Sequence, residues 1–321
     1  KAKAKYQKKY FAENRENSKK QWQMINTLLG RKKSNKSVKK LIKNDGSIVN
    51  CPKAIAENFN EYFSNIAKNM KEKTCSVNNQ NRLEYDKFLE NPVAHSIYLD
   101  TVTPGEVHSV IKNFKNKSTL DIRICSLKVA NDSTNFTQAL ANVIEKSFKE
   151  GIFPDRLKSA RVVPVHKEGK KTDVENYRPI SLLASISKIY EKLMHKRIIK
   201  FLDSNESLSD LQYGFRSGRS CEHALLKAQN VLLDSLSKKQ ISLLLLIDFS
   251  KAFDMVEHPI LLKKLEHYGI RGMALKWMTS YLHNRTQFVS IDGADSTSKP
   301  LLFGVPQGSI LGPLHFIIYI N

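Results

Sequence analysis

Ile241-Ser242-Leu243-Leu244-Leu245-Leu246-Ile247-Asp248-Phe249-Ser250-Lys251-Ala252-Phe253-Asp254 is the segment on which the fold reading turns. An apolar run that stops at a charged residue fits a strand buried on both faces, so Ile241–Ile247 is predicted to be such a strand. Downstream, Pro259 opens a helix through Leu261, Leu262, Leu265 and Tyr268 to Gly269, and Gly272–Leu282 reads as another helix. Gln287–Asp292 and Pro300–Phe303 read as strands, and Ser309–Asn321 is an apolar stretch. Upstream, Phe136–Glu150 reads as a helix closed by Gly151 and Arg161–Val165 as a short strand. Tyr190–Leu202 follows as a helix with its Lys and Arg outward. Strands alternating with helices predict an α/β or α+β domain over residues 136–321.

Residues 1–135 read differently, as helices joined by polar linkers. Trp22, Ile25, Leu28 and Leu29 share one helical face, stopped by Gly30, which is an ordinary core signal. Ser34–Lys40 is a basic connector and Asp45-Gly46 a turn. Pro52 opens a helix carrying Ile55, Phe59, Phe63 and Ile66, and Asn69–Asn81 is expected to be a loop. Thr103-Pro104-Gly105-Glu106 has capping-box spacing ahead of Val107, Val110, Ile111 and Phe114.

The 321 residues hold 52 Lys and Arg against 31 Asp and Glu, a net charge of +21, with 41% hydrophobic residues. That suits a globular chain of about two units. No apolar run approaches the ~18 residues of a membrane helix, and no apolar signal core follows Lys1. The expectation is an intracellular fragment of something longer, with no membrane association. Cys51, Cys75, Cys125 and Cys221 form no pair or Cys/His cluster, which argues against a zinc site or disulfide framework. Residues 1–40 carry 14 Lys and Arg against Glu13 and Glu16, hence +12. Such a block is either a solvated helix face or a polyanion-binding region with steep salt dependence. Tyr6, Tyr10 and Phe11 stand among these charges and are able to stack on bases.

Three elements point to chemistry. Asp248, at the end of the predicted strand, either caps a turn or projects toward a hard cation such as Mg²⁺. Asp254 reads as a turn or helix-cap residue rather than a ligand. Phe303-Gly304-Val305-Pro306-Gln307-Gly308-Ser309 is a tight turn into a helix with Ser309 as N-cap; Gly permits close approach and Gln both donates and accepts. Lys167 and Tyr177-Arg178-Pro179 flank a polar loop after a strand. That is either a solvated hairpin or a clamp for a triphosphate.

The order of these strings resembles the reverse transcriptase of LINE-type (non-LTR) retrotransposons, jockey-like in flavour. The resemblance rests on Arg161–Lys167, Asn176–Leu183, Gln212-Tyr213-Gly214-Phe215-Arg216-Ser217-Gly218-Arg219-Ser220, Asp248–His258 and Gly304–Asn321. It covers 148–321 strongly and the helical stretches near Trp22 and Phe59 more weakly. It implies an α+β fold: right-hand polymerase fingers and a partial palm in 136–321, preceded by a basic, mainly helical region in 1–135. Asp248 and the Phe249 backbone carbonyl would ligate Mg²⁺ or Mn²⁺, and Phe253 would sit under the sugar and disfavour a 2′-hydroxyl. Lys167 and Arg178 would hold a deoxynucleoside triphosphate, Gln307 and Gly308 would line the nucleotide site, and Gly214, Phe215 and Arg216 would face the template. The implied partners are an RNA template and a DNA primer or target, and the implied locations are the nucleus and a cytoplasmic ribonucleoprotein.

Three departures qualify the resemblance. Ser118-Thr119-Leu120-Asp121 lacks the family's glycine, and His315 stands where an apolar residue is usual. The family's next hairpin carries two adjacent aspartates, whereas the 14 aspartates here include no adjacent pair. Two-metal phosphoryl transfer needs both ions held, so the 321 residues are expected to be inactive alone. A non-catalytic nucleic-acid-binding remnant and a relative of group II intron maturases are the competing readings.

Overall fold

The computed structural model describes residues 2–15, 17–29, 38–42, 46–75, 87, 89, 92–114 and 134–321. The expectations at Gly30, Asp45, Cys125 and Ser118–Asp121 lie outside these. The chain forms two compact units, Lys1–Val38 and Lys39–Asn321.

The first unit consists of two helices, α1 (Ala2–Glu13) and α2 (Ser18–Leu28). The α2 helix forms as the apolar spacing predicts, but its face is not core: Trp22, Leu28 and Leu29 are exposed. On α1, the Tyr6 and Tyr10 rings and the Tyr10 and Phe11 rings each lie 6.3 Å apart.

In the second unit a short hairpin, β1 (Leu41–Ile42) and β2 (Ile48–Val49), precedes α3 (Pro52–Cys75). Ile55, Phe59, Phe63 and Ile66 of α3 are buried as expected. The loop predicted from Asn69 is instead helix as far as Cys75, because residues 69–75 contain no Gly or Pro to stop it. Lys71, in this last stretch, pairs with Glu257 at 2.9 Å. The α4 helix (Pro104–Asn113) starts at the predicted cap, with the Glu106 amide donating to Thr103 Oγ1 at 3.2 Å.

Helix α5 (Thr134–Glu150) leads into β3 (Ser159–His166) and β4 (Tyr177–Leu182), an antiparallel pair. Then come α6 (Ser185–Ser204), α7 (Cys221–Ser237), α8 (His258–His267) and α9 (Gly272–Leu282). Strand β5 (Thr286–Ile291) returns parallel to β3, with short β6 (Ala294–Asp295) and β7 (Lys299–Pro300) antiparallel to it. The sheet order is β4-β3-β5-β6, and β7 also pairs with β5. Helix α10 (Leu311–Ile320) closes the order. The fold is therefore α+β with a mixed sheet. The α3 helix packs on β5, and α4 packs on α5 and α6.

The core is helical and aromatic. Phe153 lies edge-on to Tyr190, Trp277 and Tyr281, at ring separations of 5.8, 5.2 and 5.0 Å. Edge-to-face packing of this kind adds to simple area burial. His315, in the family's apolar position, is fully buried among these residues with Nε2 3.4 Å from the Met278 sulfur. Burial lowers its pKa to about 3, so it packs as a neutral ring.

Three expectations fail here. Ile241–Ile247 forms no strand, and all six of its apolar side chains are exposed. A strand exists only through a hydrogen-bonded neighbour, and no described strand pairs with this segment. Neighbouring α7 has no buried residue either. The second failure is Pro300–Phe303, where the strand is only Lys299–Pro300. The third is Arg197 of α6, predicted to point outward but buried, with its guanidinium on the Asp100 carbonyl at 3.0 Å and on Glu106 at 2.9 Å.

Candidate functional site

Three of the matched strings meet at one place, and backbone chemistry brings them there. Gly304 N donates to the Val256 carbonyl at 2.8 Å, and Val305 N donates to the Phe253 carbonyl at 2.9 Å. The Pro-Gln-Gly turn is thus paired to the turn that carries Phe253 and Asp254. Its other side is fixed to β4, where Ser181 N donates to the Gln307 carbonyl at 2.7 Å. Glycine is required at both seams. At Gly304 (φ +78°) a Cβ would lie 2.9 Å from Asp254 Cα, and at Gly308 (φ +125°) it would lie 2.6 Å from the Ser181 carbonyl oxygen.

The result is a cleft lined by Pro179 and Ser181 of β4, Phe63 of α3, Asp254, and the turn from Phe303 to Gln307. Inside it Gln307 Nε2 donates to Asp254 Oδ2 at 2.8 Å. Burial raises the Asp254 pKa from 3.8 to about 6, against the opposing pull of the Gln307 hydrogen bond and the Lys251 charge. Folding therefore favours the protonated form, so Asp254 withdraws stability as the pH rises from about 4 through 6. Burial, with Glu175 and Asp254 nearby, pushes the Tyr62 hydroxyl of α3 up to about 12.

The hairpin cations that the resemblance assigns to the triphosphate, Lys167 and Arg178, are not brought to this cleft, because Arg178 is exposed on the face of β4 opposite Pro179 and Ser181. Val165 faces Arg178 across the β3–β4 ladder, and Lys167 N extends the ladder to the Asn176 carbonyl at 2.8 Å. Two residues on from Val165, Lys167 falls on the same face as Arg178. Lys167 Nζ sits 2.6 Å from Glu168 at an exposed site, and Lys167 and Arg178 together hold the Glu168 carboxyl below its usual range.

Phe253 is partly buried, stacked on Phe316 at 5.1 Å and edge-on to Phe215 at 5.8 Å. Phe215 is exposed and holds φ +59°, a conformation uncommon without glycine. Arg216 is spent on its own loop, donating to the Ser209 carbonyl at 2.9 Å and meeting Asp203 at 3.4 Å. Gly214 accepts from Gln212 Nε2 at 3.0 Å.

Asp248 and Phe249 lie on the exposed segment after 247, away from any strand end. Among the described residues no three His, Cys, Asp or Glu side chains gather to hold a metal. Asp254 already accepts from Gln307. The residues present do not fit a two-metal cage, which needs several converging oxygens.

Glu191 was missed in the sequence, although a carboxylate inside the apolar stripe of a helix signals it. It is fully buried, accepting from Ile310 N at 2.6 Å, Leu311 N at 3.3 Å and Ser187 Oγ at 2.9 Å. It thereby caps α10 immediately after the Pro-Gln-Gly turn. Ser309, predicted as N-cap, lies one residue before the observed cap position, Ile310, yet its Oγ still accepts from Gly312 N at 2.9 Å.

No described helix is long and apolar enough to cross a membrane. Residues 165–321 match the family model "Reverse transcriptase (RNA-dependent DNA polymerase)". The chain is 34% identical over 242 residues to the RNA-directed DNA polymerase from mobile element jockey of Drosophila melanogaster, covering 74% of this chain and 26% of that protein. It is 30% identical over 239 residues to the probable RNA-directed DNA polymerase from transposon BS of the same organism, covering 72% and 26%. The jockey protein of Drosophila funebris is 30% identical over 237 residues, covering 72% and 25%. The chain thus spans about a quarter of the length of these relatives. With these matches, and with three of the five matched strings meeting at one cleft, the chain is a jockey-like, non-LTR member of the reverse transcriptase family.

Proposed function

We propose that the chain supplies the fingers and the front of the palm of an RNA-directed DNA polymerase, which adds deoxynucleotides to a DNA primer on an RNA template. The observation that carries this reading is the docking of the Gly304–Ser309 turn onto both β4 and the Phe253–Val256 turn. In this proposal the cleft takes the incoming deoxynucleoside triphosphate. Gln307 and Gly308 line it and Phe253 restricts the sugar, whereas Lys167 and Arg178, on the opposite face of the hairpin from Pro179 and Ser181, are not part of it. Gly214 and Phe215 lie toward the template, and Arg216 acts by holding their loop. Mg²⁺ or Mn²⁺ would be held by Asp248 and the Phe249 carbonyl only with further carboxylates, which do not gather among the described residues. The chain by itself is accordingly proposed to bind but not to polymerise, in nuclear or cytoplasmic ribonucleoprotein.

The competing reading is a nucleic-acid-binding remnant without catalysis. Both readings assign nucleic-acid binding to the basic region within 1–135, and above all to the first unit. Binding of an RNA–DNA primer-template to the full chain and to residues 39–321 tests this part. The full chain is expected to bind more tightly and with a steeper dependence on salt. Each lost phosphate contact removes about 0.9 from the slope of log K against log salt. Equal affinity and equal slope would remove the first unit from the interface.

A further inference from the structure

We propose that Asp254 is a positioning residue that sets which end of the Gln307 amide faces the cleft, making this point of the cleft a hydrogen-bond acceptor. The proposal rests on the nucleotide reading for its ligand, but not for its geometry. Gln307 is held at two points: its backbone carbonyl accepts from Ser181 N at 2.7 Å, and its Nε2 donates to Asp254 Oδ2 at 2.8 Å. A carboxylate only accepts, so an ionised Asp254 dictates that the amide turns its nitrogen inward. Oε1 is then the group left to a ligand, and it recognises a donor, such as a hydroxyl of a nucleoside triphosphate. A protonated Asp254 has an O–H to donate, which favours the opposite amide orientation and a donor in the cleft.

Asp254 itself has little freedom to move. Its N donates to the Lys251 carbonyl at 2.9 Å, and the flanking Phe253 and Val256 carbonyls are tied to the Pro-Gln-Gly turn. The charged and titratable groups around it are few: Lys251 on its own turn, and Tyr62 from α3 with Glu175 beyond it. The raised pKa places the change of orientation near pH 6, within reach of a neutral-pH experiment.

The test follows the Gln307 side-chain amide of the full chain by ¹⁵N NMR between pH 4.5 and 8, with and without dTTP. Gln307→Leu serves to assign the resonance. The expected result is one transition near pH 6 in the unliganded protein, abolished in Asp254→Asn. The Asp254 carboxyl ¹³C titration should also move to higher pH in Gln307→Leu, because the N–H that favours the ionised form is gone. A Gln307 amide insensitive to pH, or an Asp254 titration unchanged in Gln307→Leu, overturns the positioning role. The dTTP arm speaks to the ligand separately. A Gln307 resonance that titrates but ignores dTTP leaves the positioning intact and defeats the nucleotide reading.

Discussion

Glu191→Ala is expected to cost about 3–5 kcal/mol of folding stability, because it removes one partner of a buried charge cluster. Three donors lose their acceptor at once: Ser187 Oγ and the amides of Ile310 and Leu311. Arg285, 2% exposed, loses the carboxylate nearby, and its Nε and Nη2 have no hydrogen-bond partner of their own. Burial raises the Glu191 pKa, while Arg285 and the hydrogen bonds from Ile310, Ser187 and Leu311 pull it the other way. Glu191→Gln keeps the volume and one acceptor oxygen and should lose distinctly less. Urea unfolding of the three proteins measures both values. An Ala variant within about 1 kcal/mol of the parent would mean that the cap is redundant.

The second large effect is expected at Gly308. An added methyl there meets the Ser181 carbonyl, which is backbone and cannot swing away, in a conformation that L-residues avoid. Strain and overpacking together put Gly308→Ala at about 3 kcal/mol. The alternative to paying that in stability is displacement of the turn, which breaks the Ser181–Gln307 bond and moves Gln307 from the cleft. Gly105→Ala is the control: it lies in α4 with open space around it, and should be neutral or stabilising by up to about 1 kcal/mol. Thermal unfolding of both variants decides the matter. Equal melting temperatures for the two would contradict the close approach at Gly308.

Local patterns in the sequence predicted the helices well, because each carries its own evidence. Gly272–Leu282 matches residue for residue, and Thr103 caps α4 as its spacing predicts. The errors arise where the deciding partner is remote. Ile241–Ile247 has the composition of a buried strand, but composition supplies no neighbour to pair with, and its side chains stand in solvent. Trp22 belongs to a helical apolar spacing, yet its side chain is exposed, because spacing fixes which residues share a face and not what that face meets. Arg197 looked like a surface cation because its partners, Asp100 and Glu106, are about ninety residues away. The cleft was only partly legible. Gln307 and Gly308 were visible as motif residues, and the resemblance assigned them roles, whereas Arg178, matched alongside them, lies on the face of β4 opposite Pro179 and Ser181. That Asp254 would engage Gln307 depends on two turns meeting across 53 residues, which no local pattern encodes.

Primer extension tests the central claim most directly. The reaction contains an RNA template, an annealed DNA primer, deoxynucleoside triphosphates and Mg²⁺, with Mn²⁺ in parallel. Three proteins are compared: the 321-residue chain, the chain extended by the hairpin with two adjacent aspartates that the resemblance implies, and the extended chain carrying Asp248→Asn. The account predicts no incorporation by the first, incorporation by the second and its loss in the third, because in the proposed reading Asp248 would supply one part of a metal cage that two further carboxylates would complete. Deoxynucleotide incorporation by the 321-residue chain itself, or undiminished incorporation by the extended Asp248→Asn protein, would contradict it.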